Sequence, residues 1–248
     1  MVSALADQLL RDGYPNQAVL LGAATEDGRR VMRRRTVLHV VTRGDSQALP
    51  RPIRYDQHSV ENPYLAVRFD ECFPAVFAGL LEDLSGRRVL SSNTSIRGAD
   101  VGQYLSGVGI DTDDLFFSLE PEIFVSMFGY AETWRAVRRG GLAEVVTIAE
   151  EHVGLLMRHA RGYPVTEFLI LGLPPAGRRL GSEFPEAAEA LLAFNQRLEA
   201  AAGPNIRYVP PLAGKEMMHT DDQHYSVLGH RALAERLLDV CRELGFGL

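Results

Sequence analysis

The chain has 248 residues, 46% of them apolar, and a formal net charge of −6. That length suits one α/β domain or two small ones with a sizeable core, and the acidic balance argues against nucleic acid as the main partner. The opening stretch MVSALADQLLRDGYPNQ has no basic segment leading into an apolar one, and no apolar run is long enough to cross a bilayer. A cytoplasmic protein without membrane insertion is therefore the expectation.

Residues 1–35 carry the weakest pattern. Ser3–Arg11 suits a short helix and Ala18–Gly22 a short strand or a loop, while Arg29, Arg30, Arg33, Arg34 and Arg35 read as a solvated surface segment. They form an N-terminal extension of uncertain structure before a domain spanning 36–248. Thr36–Val41 is apolar and rich in β-branched residues, as a buried strand requires, and the chain then breaks polar at Thr42-Arg43 and turns at Gly44-Asp45-Ser46. An open α/β sheet places its reactive groups at the carboxyl ends of its strands, which makes Ser46 a candidate nucleophile. The aperiodic stretch that follows holds Pro50, Pro52 and Pro63. It is long for a plain connection and is expected over the pocket, with Arg51, Arg54, Tyr55 and His58 as candidate substrate contacts.

Phe73–Leu84 has helical spacing, with Phe73, Val76, Phe77, Leu80, Leu81 and Leu84 on one face, Pro74 in the first turn and Gly86 as a stop. Arg88–Ser91 reads as the second strand. Gly98 then precedes a helix-like Ala99–Leu105 with Asp100 in its first turn, where a backbone N–H can face a developing negative charge. Ile123–Phe128 is the third strand and ends at Gly129. Gly141–Arg161 is a long amphipathic helix whose His152 and His159 share a face and are read as surface or pocket-edge residues rather than a metal pair. Val165–Leu171 is the fourth strand, Pro174, Pro175 and Gly177 mark a turn, Pro185–Ala202 is a helix and Ile206–Val209 the fifth strand. Asp221 and His224 lie in the next loop, before a helix that Ser226 can cap. Cys72 and Cys241 have neither a disulfide framework nor metal-ligand spacing and read as half-buried free thiols.

Five alternations of strand and helix argue for a three-layer α/β/α fold with a five-stranded parallel sheet, and right-handed crossovers would bring Ser46, Gly98, Gly129 and the Asp221–His224 loop to one edge. A serine on a Gly-Asp-Ser turn after the first core strand, followed by Asp-x-x-His before the last helix, resembles the SGNH (GDSL-type) hydrolases, whose sheet is flavodoxin-like. The resemblance runs from about Val37 to Leu244. It implies a Ser46–His224–Asp221 triad, in which Asp221 orients His224 and His224 takes the serine proton, and an oxyanion hole built from the backbone N–H groups of Ser46 and Gly98. Asp222 is the alternative to Asp221. The resemblance also makes an asparagine on the Pro185–Ala202 helix, Asn195, a support of the fold.

The third block of that family places an asparagine where this chain has Ala131, within Gly129-Tyr130-Ala131-Glu132. Alanine has no side-chain donor. Three explanations stand: the hole is completed by Asn93 or Trp134, the enzyme is slow or needs an activated acyl donor, or hydrolysis has been lost. Asn93, Tyr130 and Trp134 join Arg51 and Tyr55 as candidate substrate contacts. Gly-Asp-Ser-x-Ala-Leu-Pro-Arg with an altered third block is similar to a bacterial SGNH group found with saccharide and secondary-metabolite assembly enzymes. This tilts the expected substrate toward O-acyl groups on sugars or small metabolites. The expectation is a serine esterase without metal or organic cofactor, with an acyltransferase using the same triad as the alternative. Two further rivals are a metal site at His219, Asp221, Asp222 and His224 and a non-catalytic binding protein. His219 and His230 are otherwise read as pocket-rim residues.

Overall fold

The computed structural model describes residues 2–51, 67–102, 119–139, 141–218 and 223–247. Its centre is a parallel sheet in the order β2-β1-β3-β4-β5, with β1 at Val37–Gly44, β2 at Arg88–Asn93, β3 at Ile123–Met127, β4 at Glu167–Leu171 and β5 at Ile206–Val209. The chain starts centrally at β1, steps once outward to β2, and then crosses back to build β3, β4 and β5 on the other side. In such a sheet the crevice lies outside the carboxyl ends of the strands, where the order reverses, here between β1 and β3. The three-layer α/β/α fold expected from the sequence is the one observed.

Each face of the sheet carries its own core. On one, Leu38, Val40, Ile123, Val125 and Leu169 pack against α4 (Phe73–Ser85) and α9 (Val227–Glu243). On the other, Val41, Phe124, Phe168 and Ile170 pack against α5 (Tyr130–Arg138), α6 (Leu142–Gly162) and α8 (Ala187–Ala200). A short α7 (Arg178–Glu183) precedes α8. β3 and β4 are buried at every position, which is why, apart from Ser126 and Glu167, they read as apolar runs rather than alternating ones. The apolar face of α4 divides as its spacing predicts: Phe73, Phe77 and Leu81 are buried, and Val76, Leu80 and Leu84 pack at its margin. Gly86 ends this helix in the left-handed conformation at φ 63°. Ser226 caps α9 by accepting the Gly229 N–H at 3.1 Å.

Several local expectations need correction. β1 does not stop at Val41; it runs through Thr42 and Arg43 to Gly44, all buried. The added strand is anchored by partners distant in sequence: the Arg43 guanidinium donates to Thr94 Oγ1 at 3.3 Å, and Thr94 Oγ1 donates to Thr42 O at 3.2 Å. His152 and His159 are core rather than surface residues. His152 pairs with Ser126 Oγ at 3.0 Å between Phe128 and Phe194, and burial pushes its pKa down to about 3. His230 is not at a rim either; it is buried and accepts the Phe73 N–H at 3.2 Å, capping α4 from α9. Both thiols are fully buried rather than half-buried, and burial pushes each up to about 12.

The first 35 residues carry α1 (Val2–Asp12), α2 (Pro15–Leu20) and α3 (Thr25–Arg33), so Ala18–Leu20 is helical and not a strand. Asn16 binds this segment to the sheet: its amide accepts the Val165 N–H at 2.9 Å and donates to Thr166 Oγ1 at 3.1 Å. Glu120, held at φ 41°, accepts the N–H groups of Asn16 and Gln17 at the start of α2. Within the arginine run, Arg29 pairs with Glu26 at 3.1 Å and Arg35 reaches back to Glu120 O at 2.7 Å.

Candidate active site

The site begins where β1 ends. Gly44 lies so close to β3 that a Cβ there would sit 2.6 Å from Met127 O, so the position admits only glycine. The Asp45 N–H then donates to the same Met127 O at 3.1 Å, and the chain leaves the sheet in a single 3-10 turn, Ser46–Ala48. This turn lifts Ser46 to the sheet edge, where it is half-buried. His224 approaches from the start of the α9 region, and its Nε2 lies 2.8 Å from Ser46 Oγ. The two side chains are separated by 178 positions in sequence.

Three side chains, Gln47, Asn93 and Asp45, fix this pair in place. Gln47 Nε2 donates to Gln223 O at 2.8 Å, tying the turn that carries the serine to the segment that carries the histidine. Asn93 Nδ2 donates to Ala48 O at 2.8 Å, and its Oδ1 accepts the Ser95 N–H at 3.1 Å, so β2 braces the same turn from the other side. The buried Asp45 carboxylate accepts the Gln47 N–H at 2.9 Å and the Ala131 N–H at 3.3 Å, and the Tyr130 N–H also faces it. Asp45 therefore caps α5 from outside that helix, where the helix dipole favours negative charge. Burial raises its pKa; the Gln47, Ala131 and Tyr130 N–H groups and the nearby His224 oppose that rise.

The loop after β2 runs beside the serine. It continues the sheet pairing through Thr94 N–H to Thr42 O at 2.8 Å and Ile96 N–H to Gly44 O at 3.0 Å. It then turns at exposed Gly98, whose φ is 67°. Among the described residues, neither the Ser46 N–H nor the Gly98 N–H has a hydrogen-bond acceptor. The Ala131 N–H is occupied by Asp45. The chemistry on offer is thus a serine hydroxyl against an imidazole, with two uncommitted backbone donors on the adjoining segments.

The remaining candidates divide. Asn93 has its carbonyl and amide engaged in bracing the nucleophile turn, and the Trp134 ring packs edge-on to Phe184 at 6.1 Å with Arg138 over its face at 5.4 Å. Tyr130 is buried, at 5% exposure, in the first turn of α5. The Arg51 backbone pairs with that of Val67 in both directions. Asn195 grips the backbone of Leu173 through two bonds, at 2.7 and 3.0 Å. Arg54, Tyr55, His58, His219, Asp221 and Asp222 lie outside the described residues, as do the last three residues of the expected Ala99–Leu105 helix; its described part is not helical before Gly102. Gln47 and the capping role of Asp45 escaped the sequence reading. Each acts on a partner that only the folded chain brings near, and neither stands in a pattern with that partner.

No protein-family model matches the chain, and no curated protein does. Solved structures do. The lipase Lip_vut3 from a goat rumen metagenome is 14% identical, with a TM-score of 0.63 over 85% of this chain and 98% of that one. Est24, a carbohydrate acetylesterase from Sinorhizobium meliloti, is 15% identical, with a TM-score of 0.55 over 84% and 99%. A catalytic mutant of Axe2, an acetylxylan esterase from Geobacillus stearothermophilus, is 16% identical, with a TM-score of 0.58 over 82% and 93%. A GDSL-like lipase fold from Parabacteroides merdae is also among the matches. This likeness shows that the chain has the fold of the GDSL-type lipases and acetylesterases.

Proposed function

We propose that the protein is a serine hydrolase that cleaves an ester bond of an O-acylated saccharide or small metabolite through Ser46 and His224. The observation that carries this reading is the 2.8 Å contact between Ser46 Oγ and His224 Nε2 at the carboxyl end of β1. A serine hydroxyl is a weak nucleophile at neutral pH and needs an adjacent base. In the productive tautomer the Ser46 O–H donates to His224 Nε2. As Oγ attacks the acyl carbon, the proton passes to Nε2, and the carbonyl oxygen gains negative charge. The Ser46 and Gly98 N–H groups are the donors we assign to that oxyanion. The imidazolium then protonates the leaving alkoxide, and an acyl-serine remains. Water deprotonated by His224 releases the acid.

Asp221 is the third member in this proposal, holding the Nδ1–H tautomer of His224, on the strength of the resemblance of its Asp-x-x-His motif to that of the SGNH hydrolases. Without an asparagine at Ala131 the hole has two donors rather than three, which suits a good leaving group or a small, lightly demanding acyl group. The carbohydrate-directed names of Est24 and Axe2 support a saccharide O-acetyl substrate class.

The direct test is intact-mass labelling with a fluorophosphonate, on wild type and Ser46→Ala. A single adduct on wild type that is absent from the variant supports the activated serine. A folded wild type that takes no adduct would leave a binding protein on a hydrolase scaffold as the better reading.

A further inference from the structure

The Gly98 turn reaches the nucleophile from β2, but it is α5 that holds it. Arg135 Nη2 donates to Gly98 O at 2.8 Å, and Glu132 Oε2 accepts the Val101 N–H, also at 2.8 Å. The two side chains stand on one face of α5, three residues apart. The amino end of the same helix is bonded to Asp45, the residue before the nucleophile. A continuous set of bonds therefore runs from the Ser46 turn through α5 to the Gly98 carbonyl and, three residues on, to the Val101 N–H. Glycine at φ 67° has little steric preference of its own, so outside contacts must fix where its N–H points.

We propose that Glu132 and Arg135 form a clasp that sets the Gly98 amide against Ser46, which makes Glu132 a positioning residue for formation of the oxyanion. This inference rests on the hydrolase reading. Glu132 follows Ala131 directly, so the segment that lacks a donor for the hole would still govern the hole by gripping the neighbouring loop. The ionised carboxylate binds the Val101 N–H as a charge-assisted acceptor, stronger than a neutral acid. Burial pushes the Glu132 pKa up to about 7. The Val101 N–H and Arg135 oppose that rise, while Asp100 in the loop and Glu151 on α6 add to it. The clasp is therefore tight above neutrality and weakens as pH falls through about 7.

The test measures p-nitrophenyl acetate hydrolysis and fluorophosphonate labelling rates from pH 5 to 9 for wild type, Glu132→Ala, Glu132→Gln and Arg135→Met. The expected result for Glu132→Ala is a fall in kcat approaching the roughly 10²-fold effect of losing one oxyanion donor, with KM little changed. Glutamine keeps an acceptor for the Val101 N–H. Glu132→Gln should exceed Glu132→Ala but match wild type only at low pH, and its profile should lack the limb that wild type shows near pH 7. Arg135 is exposed, so Arg135→Met should stay folded and lower kcat in the same sense. A wild type that labels and turns over normally, with kcat and pH profile unchanged in all three variants, overturns the clasp alone. Equal loss in the glutamine and alanine variants, confined to thermal stability, also overturns it. A wild type that neither labels nor hydrolyses overturns the hydrolase reading and the clasp together.

Discussion

At the amino end of β1, Arg87 holds the buried Glu122 carboxylate through two bonds of 2.7 Å, and Arg35 donates to Glu120 O and Gly13 O at 2.7 and 2.6 Å. Glu120 in turn caps α2. At the carboxyl end, eight residues along the same strand, a serine meets an imidazole and two backbone donors stay uncommitted among the described residues. Both ends are polar and close to the core. One spends its charges on partners within the fold, and burial still raises the pKa of Glu122 despite the Arg87 bonds. The other keeps two backbone donors uncommitted among the described residues. Buried polarity alone therefore does not mark the candidate site; uncommitted donors beside a hydroxyl paired with an imidazole do.

Substitutions can test that contrast. The largest effect expected is at the carboxyl end: Ser46→Ala and His224→Ala should each lower kcat on an ester substrate by about 10⁴-fold or more. Their melting temperatures should stay near that of wild type, because neither side chain serves the core. Glu122→Ala should behave in reverse. Removing one partner of a buried ion pair costs about 3–5 kcal/mol, which for a chain of this size is a fall of roughly 10 °C in Tm. Fluorophosphonate labelling per folded molecule should be unchanged, and a loss of labelling without a loss of Tm would dissolve the division between the two ends. Ala131→Asn adds a side-chain donor where the hole lacks one, and kcat for a short-chain ester should rise by up to about 10²-fold. No gain at all would mean that two backbone donors, or a group not yet assigned, already complete the hole. The smallest effect is at Gln47→Leu, which removes the bond to Gln223 O. A hydrogen bond of this kind contributes about 1 kcal/mol, so kcat should fall about fivefold. The loss should appear in kcat rather than KM if Gln47 aligns His224 with Ser46.

The sequence was legible where burial is uniform. β3 and β4 are buried throughout and mostly apolar, and α4 and α9 carry their own stops and caps, so local pattern and final structure agree. It was misleading where a residue's environment is supplied from afar. Ala18–Leu20 has the composition of a strand, yet Glu120, more than a hundred positions away, caps a helix there. Arg43 reads as the end of a strand because arginine seldom enters a core unpaired; Thr94 and the β3 edge admit it. His152 has the helical position of a surface histidine, and Ser126, Phe128 and Phe194 make it a core one.

The candidate site shows the same division. The sequence by itself determined the order of the five strands and the places of α4, α6, α8 and α9, Ser46 on its glycine-led turn, and a histidine before the last helix. Those features depend on side-chain periodicity and turn chemistry within a few residues. Only the tertiary structure decided that Ser46 and His224 meet at 2.8 Å, that Asp45 caps α5, that Gln47 ties the serine-bearing turn to the histidine-bearing segment, and that Glu132 and Arg135 reach the Gly98 loop. Each of these is a directional bond between residues far apart along the chain. Its geometry exists only after the parallel sheet has aligned the carboxyl ends of its strands, and no local pattern encodes it.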